Sequence, residues 1–313
     1  MSLWRRLVAT LAHREPATPL ALFRIASGLV ILATLGDMLL TDTLAPIWYS
    51  IADGGIIQTV DKHWLIAALG GTDPAVVNGL VATAMLSAAL LVVGLGSRLA
   101  ALVALQCCLA LFSLHPGTGG GHDRLIVNGL WLLVLAPSDA TLSLWCRIRG
   151  GSWASTTPAP AWTRYLIIYQ IALVYTCTGV QKLGADWWPW GDLRAVYYSL
   201  LTPSWQRWES IAWVADIYPL TQVATAITLL WEMSWGLVLL ALWFRATRTR
   251  SGRLRSFFNR RDVRWWYAFI GVGVHVSIWA MMNLGPFSWI TMTYYLCLWH
   301  HDEYARLWRR LRS

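Results

Sequence analysis

Long apolar runs constrain this sequence more than any other feature. Of its 313 residues, 57% are hydrophobic and 13% are charged, so most segments lack the polar residues that a water-exposed surface needs. A helix needs about 20 predominantly apolar residues to cross a bilayer, and several runs reach that length. The sequence therefore predicts an all-α integral membrane protein and argues against a soluble globular protein or a disordered chain.

Hydropathy predicts a polytopic bundle of about eight transmembrane helices. These helices are expected near residues 19–41, 75–95, 98–115, 124–145, 162–183, 221–244, 266–283 and 285–300. We expect a single transmembrane domain over residues 1–313, because a separate lumenal domain would need about 50 residues or more outside these helices. Aromatic and polar residues alternate within residues 203–219, which predicts a short helix lying in the outer membrane interface.

Arginine is concentrated in alternate loops, with eight Arg between Arg245 and Arg264. The intervening loops carry acidic residues such as Asp53, Asp123 and Asp186. Because positively charged loops remain on the cytoplasmic side, both termini are predicted to be cytoplasmic. The expected location is the cell inner membrane, as a multi-pass protein. This topology accounts for the net charge of +9 without a nucleic-acid partner.

Lys182 is unusual in its residue type, because the 25 Lys and Arg residues include only one other lysine, Lys62. It lies at the outer end of the fifth predicted helix, where the simplest interpretation is a snorkelling side chain. Arginine does not give up its proton in a protein, whereas a desolvated lysine can, so a role as a base is the alternative. Tyr175, Thr178 and Lys182 recur at helical spacing and predict one polar stripe facing protein.

Other ionisable residues lie at or within predicted helices. His122 ends the glycine-rich loop 115–121 and could hydrogen-bond to a neighbouring amine and orient it. His275 lies well inside the seventh helix, where a functional group and a satisfied core histidine are both open. Glu232 lies deep in the sixth helix and must be protonated or paired. Arg24 and Asp37, nearer the ends of the first helix, are expected to snorkel or to pair locally.

No metal centre is expected from the sequence. The five Cys form no CxxC pair, so neither a zinc site nor a disulfide framework is indicated. The cluster His300-His301-Asp302-Glu303 is consecutive, and neighbouring residues on a helix point in different directions. We interpret that cluster as a solvated helix end.

One stretch carries a family resemblance. Gly179-Val180-Gln181-Lys182-Leu183-Gly184-Ala185-Asp186-Trp187 resembles the Gly-Val-Lys-Lys-Leu-x-Ala-Asp-Trp stretch of vitamin K-dependent gamma-carboxylase and its bacterial relatives, the horizontally transferred transmembrane (HTTM) family. Further similar segments are Leu22-Phe23-Arg24-Ile25, Gly94-Leu95-Gly96-Ser97-Arg98, Gly121-His122, and His275 followed by Leu284-Gly285-Pro286-Phe287. The resemblance covers nearly the whole chain but only the membrane half of the animal enzyme, so its lumenal domain is not expected here.

The resemblance implies a lyase in which Lys182 is the base that deprotonates reduced vitamin K, a menaquinol-type lipid cofactor. His122 matches the histidine proposed to assist that amine, and His275 matches a further family histidine in the membrane. With oxygen and carbon dioxide, oxygenation of the quinol to an epoxide would generate a base strong enough to modify a peptide or small protein at the external, periplasmic face. Aromatic walls for the quinol ring would come from Tyr175, Trp187, Trp188 and Trp190. An aromatic belt at the membrane interface is an adequate alternative explanation of the same residues.

The chain departs from the family pattern at two places, which keeps other functions open. Gln181 replaces the first lysine of the motif, and Gly120 and Gly121 replace two asparagines before the histidine. One alternative is a maturation or export factor for a secreted peptide toxin, with a soluble accessory protein and without vitamin K chemistry, as in relatives from peptide-toxin operons such as the sporulation-delaying system. A lipid or small-molecule transporter has the least support, because no pair of short broken helices repeats between the two halves.

Overall fold

The computed structural model describes residues 3–58, 63–115, 117 and 119–312. Lys62, Pro116 and Thr118 lie outside the described residues. The structure is mostly helical, as the sequence predicts. Its helices are α1 Leu3–Leu11, α2 Thr18–Leu40, α3 Leu44–Trp48, α4 Trp64–Ala68, α5 Pro74–Val93, α6 Ser97–Leu114, α7 Gly121–Leu135, α8 Leu144–Gly150, α9 Trp162–Gln181, α10 Ala195–Leu201, α11 Tyr218–Met233, α12 Gly236–Ala246, α13 Arg253–Arg261, α14 Val263–Met281, α15 Phe287–Tyr295 and α16 His301–Arg312. Strands β1 Arg14–Pro16 and β2 Pro158–Pro160 pair antiparallel.

Among the residues that the structure describes, three helices are each long and apolar enough to cross a membrane, namely α2, α5 and α6. Helices α11 and α12 provide a fourth candidate span if the pair, bent by 46°, is counted as one. The remaining predicted spans coincide with helices α7, α9, α14 and α15, and their crossing of the membrane stays a prediction, as does the cytoplasmic position of the termini. The coarser prediction, a helical membrane protein, agrees with these apolar helices.

The chain forms two compact units, Met1–Ile167 with Trp289–Ser313, and Ile168–Ser288. In the first unit α5 packs against α2 and α6, and α6 packs against α7. Gly28 permits the contact between α2 and α5, because a Cβ there would lie 2.8 Å from Ala88 O. Phe23 and Tyr294 meet edge to face with ring centroids 5.0 Å apart, and the Tyr294 hydroxyl donates to Leu125 O over 2.7 Å. The Tyr294 ring is therefore buried in this core while its hydroxyl has a hydrogen-bond acceptor.

Capping residues fix the ends of α5. Asp73 Oδ1 accepts hydrogen bonds from Ala75 N at 2.8 Å and Val76 N at 3.0 Å. Pro74 occupies the first helical turn, where its lack of an N–H costs nothing. Gly94 ends the helix in the left-handed region with φ +74°, which a residue without a side chain adopts easily. The predicted boundaries 75–95 are thus close to the observed ones, because both capping signals are local in the sequence.

Arg24 corrects the sequence-based expectation of a snorkelling or locally paired side chain. It is completely buried, with 0% exposure, inside the first unit. Its guanidinium donates to Leu91 O over 2.7 Å and to Leu142 O over 2.6 Å. Leu91 O belongs to the last turn of α5 and Leu142 O to the loop before α8, so one guanidinium joins a helix end to a loop. Gly94 leaves the room for this contact, because a Cβ there would overlap the guanidinium.

The prediction of a solvated helix end at residues 300–303 is only partly right, because Asp302 is exposed but both histidines contact distant polar residues. His300 Nδ1 lies 3.1 Å from Glu15 Oε2, and Arg164 forms an ion pair with the same carboxylate. His301 Nδ1 lies 2.7 Å from Thr18 Oγ1. These partners are more than one hundred residues away in sequence, so no local pattern could have revealed them.

The second unit contains the residues of α9 from Ile168 onward and helices α10 to α14. Helix α11 packs against α10 and α14, and α12 packs against α13 and α14. The sequence predicted one helix over 221–244, but α11 ends at Met233 and α12 starts at Gly236. Ser234 Oγ donates back to Leu230 O at 2.5 Å, and Tyr267 OH lies 2.6 Å from Ser234 Oγ. These hydrogen bonds stabilise the break, and hydropathy does not report them.

Two other predicted helices differ from the structure. The fourth was expected over 124–145, but α7 ends at Leu135, because Pro137 disfavours the helical conformation of the residue before it. The predicted interfacial helix within 203–219 is wrong. That segment contains two 3₁₀ turns, Pro203–Trp205 and Ala212–Val214, and Trp205 O accepts a hydrogen bond from Asn283 N at 2.8 Å.

Candidate functional site

Lys182 forms an ion pair with Glu232 in the second unit. It directly follows the last residue of α9, and Glu232 lies near the end of α11. Lys182 Nζ donates to Glu232 Oε2, and the two side chains are 16% and 12% exposed. The sequence required Glu232 to be protonated or paired without naming a partner. The structure shows that its partner is the one lysine singled out from the sequence.

Gly179 brings the two helices close enough for this pair. A Cβ at Gly179 would lie 2.7 Å from Met233 N and 3.0 Å from Glu232 Cβ, closer than real Cβ atoms approach backbone. The missing side chain therefore lets α9 contact α11 one turn before Lys182. In the sequence, Gly179 is recognisable only as part of the family motif, and its packing role is not.

The polar stripe on α9 contacts neighbouring helices as the spacing predicted. Thr178 Oγ1 lies 3.0 Å from Tyr175 O and 3.4 Å from Glu232 Oε2. Tyr175 OH and His275 Nε2 are 2.6 Å apart, which joins α9 to α14. The stripe thus links the ion pair at one end of α9 to the buried Tyr175, which contacts His275 of α14.

Aromatic rings enclose the Tyr175–His275 contact. The Tyr175 ring centroid lies 4.4 Å from that of Trp231 and 4.8 Å from that of Trp235. The His275 ring lies 5.4 Å from Phe287. His275 and Tyr175 are both buried. This environment excludes water and orients both rings, and it agrees with a satisfied core histidine as well as with a residue that positions others.

Three tryptophans follow Lys182 and form an aromatic surface beside its amine. Lys182 Nζ lies 4.7 Å from the ring centroid of Trp187, and Trp188 Nε1 donates to Lys182 O over 2.9 Å. Trp188 and Trp190 are stacked, with centroids 5.0 Å apart and planes 5° from parallel. Two 3₁₀ turns, Ala185–Trp187 and Pro189–Gly191, hold these rings. A flat apolar molecule could stack on such a surface.

His122 lies in the first unit, in the opening turn of α7. Its Nε2 is 3.2 Å from Asp123 Oδ1, and Gly120 N donates to Asp123 Oδ2 over 3.1 Å. A Cβ at Gly120 would lie 2.8 Å from His122 Nδ1, so this glycine makes room for the imidazole. Asp123 was not predicted as the partner of His122, although the two residues are adjacent in the sequence and this adjacency could have indicated the contact.

Of the residues expected to carry chemistry, Lys182, His275, Tyr175, Trp187 and Trp188 belong to the second unit. In the part of the chain that the structure describes, no group of three or more His, Cys, Asp and Glu side chains could hold a metal ion. The groups that the structure brings together in the second unit are the Lys182 amine, the Glu232 carboxylate and the neighbouring aromatic rings.

Comparison with known proteins gives one family. The model of the HTTM domain matches residues 13–303, which is nearly the whole chain. No curated protein and no solved structure matches. The match includes the whole second unit, most of the first unit and every candidate residue described above. The chain therefore belongs to the HTTM domain family.

Proposed function

We propose that this protein is a membrane enzyme of the gamma-carboxylase type, in which Lys182 is the base that acts on a quinol-type lipid cofactor. The proposal rests on the environment of the Lys182 amine. Lys182 Nζ is largely buried, lies over the face of Trp187, and pairs with Glu232. Membership of the HTTM domain family supports the assignment.

The proposed base requires a neutral Lys182 amine, and the Glu232 carboxylate can accept the proton that this amine gives up. Two buried charges both lose their hydration, so an ion pair in apolar surroundings is costly relative to a neutral amine beside a neutral carboxylic acid. In our mechanism the proton of Lys182 Nζ moves to Glu232 Oε2 along their hydrogen bond. The neutral Nζ then takes a hydroxyl proton from the bound quinol.

The residues beside Lys182 fit a quinol ring. Trp187 offers a flat aromatic face next to the amine, and the stacked pair Trp188 and Trp190 lies beside the Lys182 backbone. Aromatic rings prefer offset stacked or edge-to-face contacts. When bound, reduced vitamin K or a related menaquinol would supply, together with oxygen, the strong base that prepares a peptide for addition of carbon dioxide. The residues of this chain would bind the ring and remove its first proton.

Two histidines have supporting roles in the proposal. His275 holds the Tyr175 hydroxyl at 2.6 Å and is a positioning residue for α9, which carries Lys182. His122 is proposed as the residue that assists the amine, on the family resemblance, and its contact with Asp123 would orient the imidazole. We propose that the substrate is a secreted peptide or small protein at the external face of the cell inner membrane, following the distribution of arginines between loops.

Lys182→Arg tests this function because it keeps the positive charge and an ion-pair partner for Glu232 but removes the proton acceptor. Purified protein is supplied with reduced menaquinone, oxygen and carbon dioxide, and epoxide formation is followed by chromatography. We expect the variant to lose activity by about 100-fold or more, the usual contribution of a general base. Gln181→Arg, at the neighbouring exposed position, is the matched control and should retain the activity. Equal epoxide formation by Lys182→Arg and the unmodified protein would refute the proposal.

A second candidate is a maturation or export factor for a secreted peptide, without quinol chemistry. The specific observation in its favour is that Lys182 is already neutralised by Glu232, as a purely structural ion pair would be. On this reading Lys182→Arg preserves function, whereas Glu232→Gln, which leaves a buried cation unpaired, impairs it. Mass spectrometry of peptides secreted by cells with and without the protein distinguishes the two. A peptide mass increased by carbon dioxide favours the carboxylase, and any other change in mass, or a change in amount alone, favours the maturation or export factor.

A further inference from the structure

Helix α13 is fixed in orientation by one of its faces. Phe258 is buried against α12, with its ring centroid 5.5 Å from that of Phe244. Asn259 Nδ2 donates to Phe244 O over 3.4 Å. Arg255 donates to Thr247 O over 3.0 Å, and its guanidinium lies 4.7 Å from the Phe244 ring centroid. The opposite face of α13 is therefore held in a defined direction.

That opposite face carries a basic groove of about 560 Å³. Its lining comprises Gly252, Arg253, Ser256, Phe257, Arg260 and Arg261. The α13 members among them recur at helical spacing, so their side chains share one side of the helix. Phe257 is 55% exposed. The groove thus combines three guanidinium groups, one hydroxyl and one aromatic ring.

The charge of the groove is not cancelled by its nearest acidic neighbour in the chain. Asp262, which follows α13, accepts hydrogen bonds from Arg264 at 2.7 Å and 2.6 Å. It also lies 3.5 Å from Arg245 Nη1. Two arginines outside the groove therefore engage this carboxylate, and the groove lining contains no carboxylate among the described residues. An anion is the complementary ligand.

Exposed tryptophans place the groove at the level of lipid headgroups. Trp243 lies near the end of α12, and Trp265 and Trp266 lie in the first turn of α14. All three are exposed, and tryptophans of this kind concentrate where the hydrocarbon meets water. Helix α13 lies between these positions in the chain. A headgroup with a phosphate is the anion found at that depth.

We propose that the groove on α13 binds the phosphate-bearing headgroup of an anionic phospholipid. The guanidinium groups of Arg253, Arg260 and Arg261 match phosphate oxygens in charge and geometry. Ser256 can donate a hydrogen bond to the same group, and Phe257 offers an apolar contact for the adjoining acyl chain. The site is independent of Lys182 and of the proposed reaction.

Native mass spectrometry of the purified full-length protein in neutral detergent tests the site. The protein is titrated with phosphatidylglycerol and, separately, with phosphatidylcholine of the same acyl chains. Each basic side chain at an anionic lipid surface changes affinity by about fivefold, so Arg253→Gln with Arg260→Gln should weaken phosphatidylglycerol binding by about 30-fold. Arg248→Gln with Arg250→Gln removes the same charge from the same loop outside the groove and is the matched control.

The proposal requires that the groove variant loses phosphatidylglycerol binding while the control retains it and both keep the circular dichroism of the unmodified protein. Equal loss in both variants would show that only overall charge matters and would overturn the site. Equal binding of phosphatidylcholine would overturn the headgroup assignment. Displacement of the lipid by millimolar inorganic phosphate would also overturn it, in favour of a soluble phosphate ligand.

Discussion

At the scale of single residues, the candidate site depends on a contact between two positions that the sequence separates by fifty residues. Lys182 and Glu232 were each recognisable alone, one as an isolated lysine and the other as a carboxylate in an apolar helix. Their pairing could not be predicted, because it depends on how α9 meets α11. That meeting is set by Gly179, where a side chain would overlap the backbone of Met233.

Gly179→Ala should disrupt the site without changing any charge. Its Cβ would lie 2.7 Å from Met233 N, so α9 and α11 must separate. Overpacking of this kind costs about 1–3 kcal/mol of stability. Thermal unfolding of the purified protein measures the loss, which should appear as a lower melting temperature.

Gly184→Ala is the control for this substitution, because a Cβ there has no atom within 4 Å and its φ of −62° suits alanine. Equal melting temperatures for Gly179→Ala and Gly184→Ala would contradict the close contact between the helices.

At the scale of elements, apolar length and simple caps predicted where most helices lie, and tertiary hydrogen bonds decided where one of them breaks. Helix α5 has Asp73 and Gly94 at its ends, and both signals are local. No Asp or Gly lies within residues 221–233 to signal that a helix ends there. The break after α11 depends on the hydroxyl of Tyr267 in α14, which contacts Ser234. No local window of sequence contains this packing contact.

Tyr267→Phe tests what stabilises the break. The substitution removes the hydroxyl that lies 3.0 Å from Ser234 O and 2.6 Å from Ser234 Oγ, while the ring remains. Loss of a partly buried hydrogen bond should cost about 1 kcal/mol. Chemical unfolding measures this change.

Tyr169→Phe, at an exposed tyrosine of α9, is the comparison and should leave stability nearly unchanged. If the two variants unfold at the same denaturant concentration, the Tyr267 hydroxyl does not hold the break.

At the scale of the whole molecule, one ionic cluster in the first unit joins three distant parts of the chain. Glu15 of β1 pairs with Arg164 of α9 and with His300, which directly precedes α16. Arg164 also donates to Cys297 O over 2.8 Å. The membrane class and the family were predictable from the sequence, but His300 was interpreted as part of a solvated helix end and the role of Glu15 was not foreseen. Contacts over such distances arise only from the completed fold.

The Glu15 cluster predicts an acid-dependent loss of stability. Burial alone would raise the pKa of Glu15, but hydrogen bonds from His300 and Arg164 and the charge of Arg164 outweigh it and hold the pKa below its ordinary value of 4.5. A carboxyl whose pKa is lowered on folding stabilises the protein above its unfolded pKa, and this contribution is lost as pH falls through the folded pKa. The unmodified protein should therefore lose its stability advantage over Glu15→Gln below about pH 4.5.

Melting temperatures of both proteins measured from neutral to acidic pH give this difference directly. Asp302→Asn, at an exposed acidic residue of α16, serves as the control and should show no comparable pH-dependent difference. A constant gap between Glu15→Gln and the unmodified protein over the whole pH range would contradict the role of Glu15.

The buried Arg24 has a consequence for biogenesis. Its two acceptors, Leu91 O and Leu142 O, are synthesised well after α2 emerges from the ribosome. Until they arrive, a guanidinium inside an apolar helix opposes partition of that helix into lipid by about 2.5–3.5 kcal/mol, less where it can snorkel. Helix α2 is thus best released from the translocon together with α5, so that these two helices enter the bilayer as a pair and not one at a time.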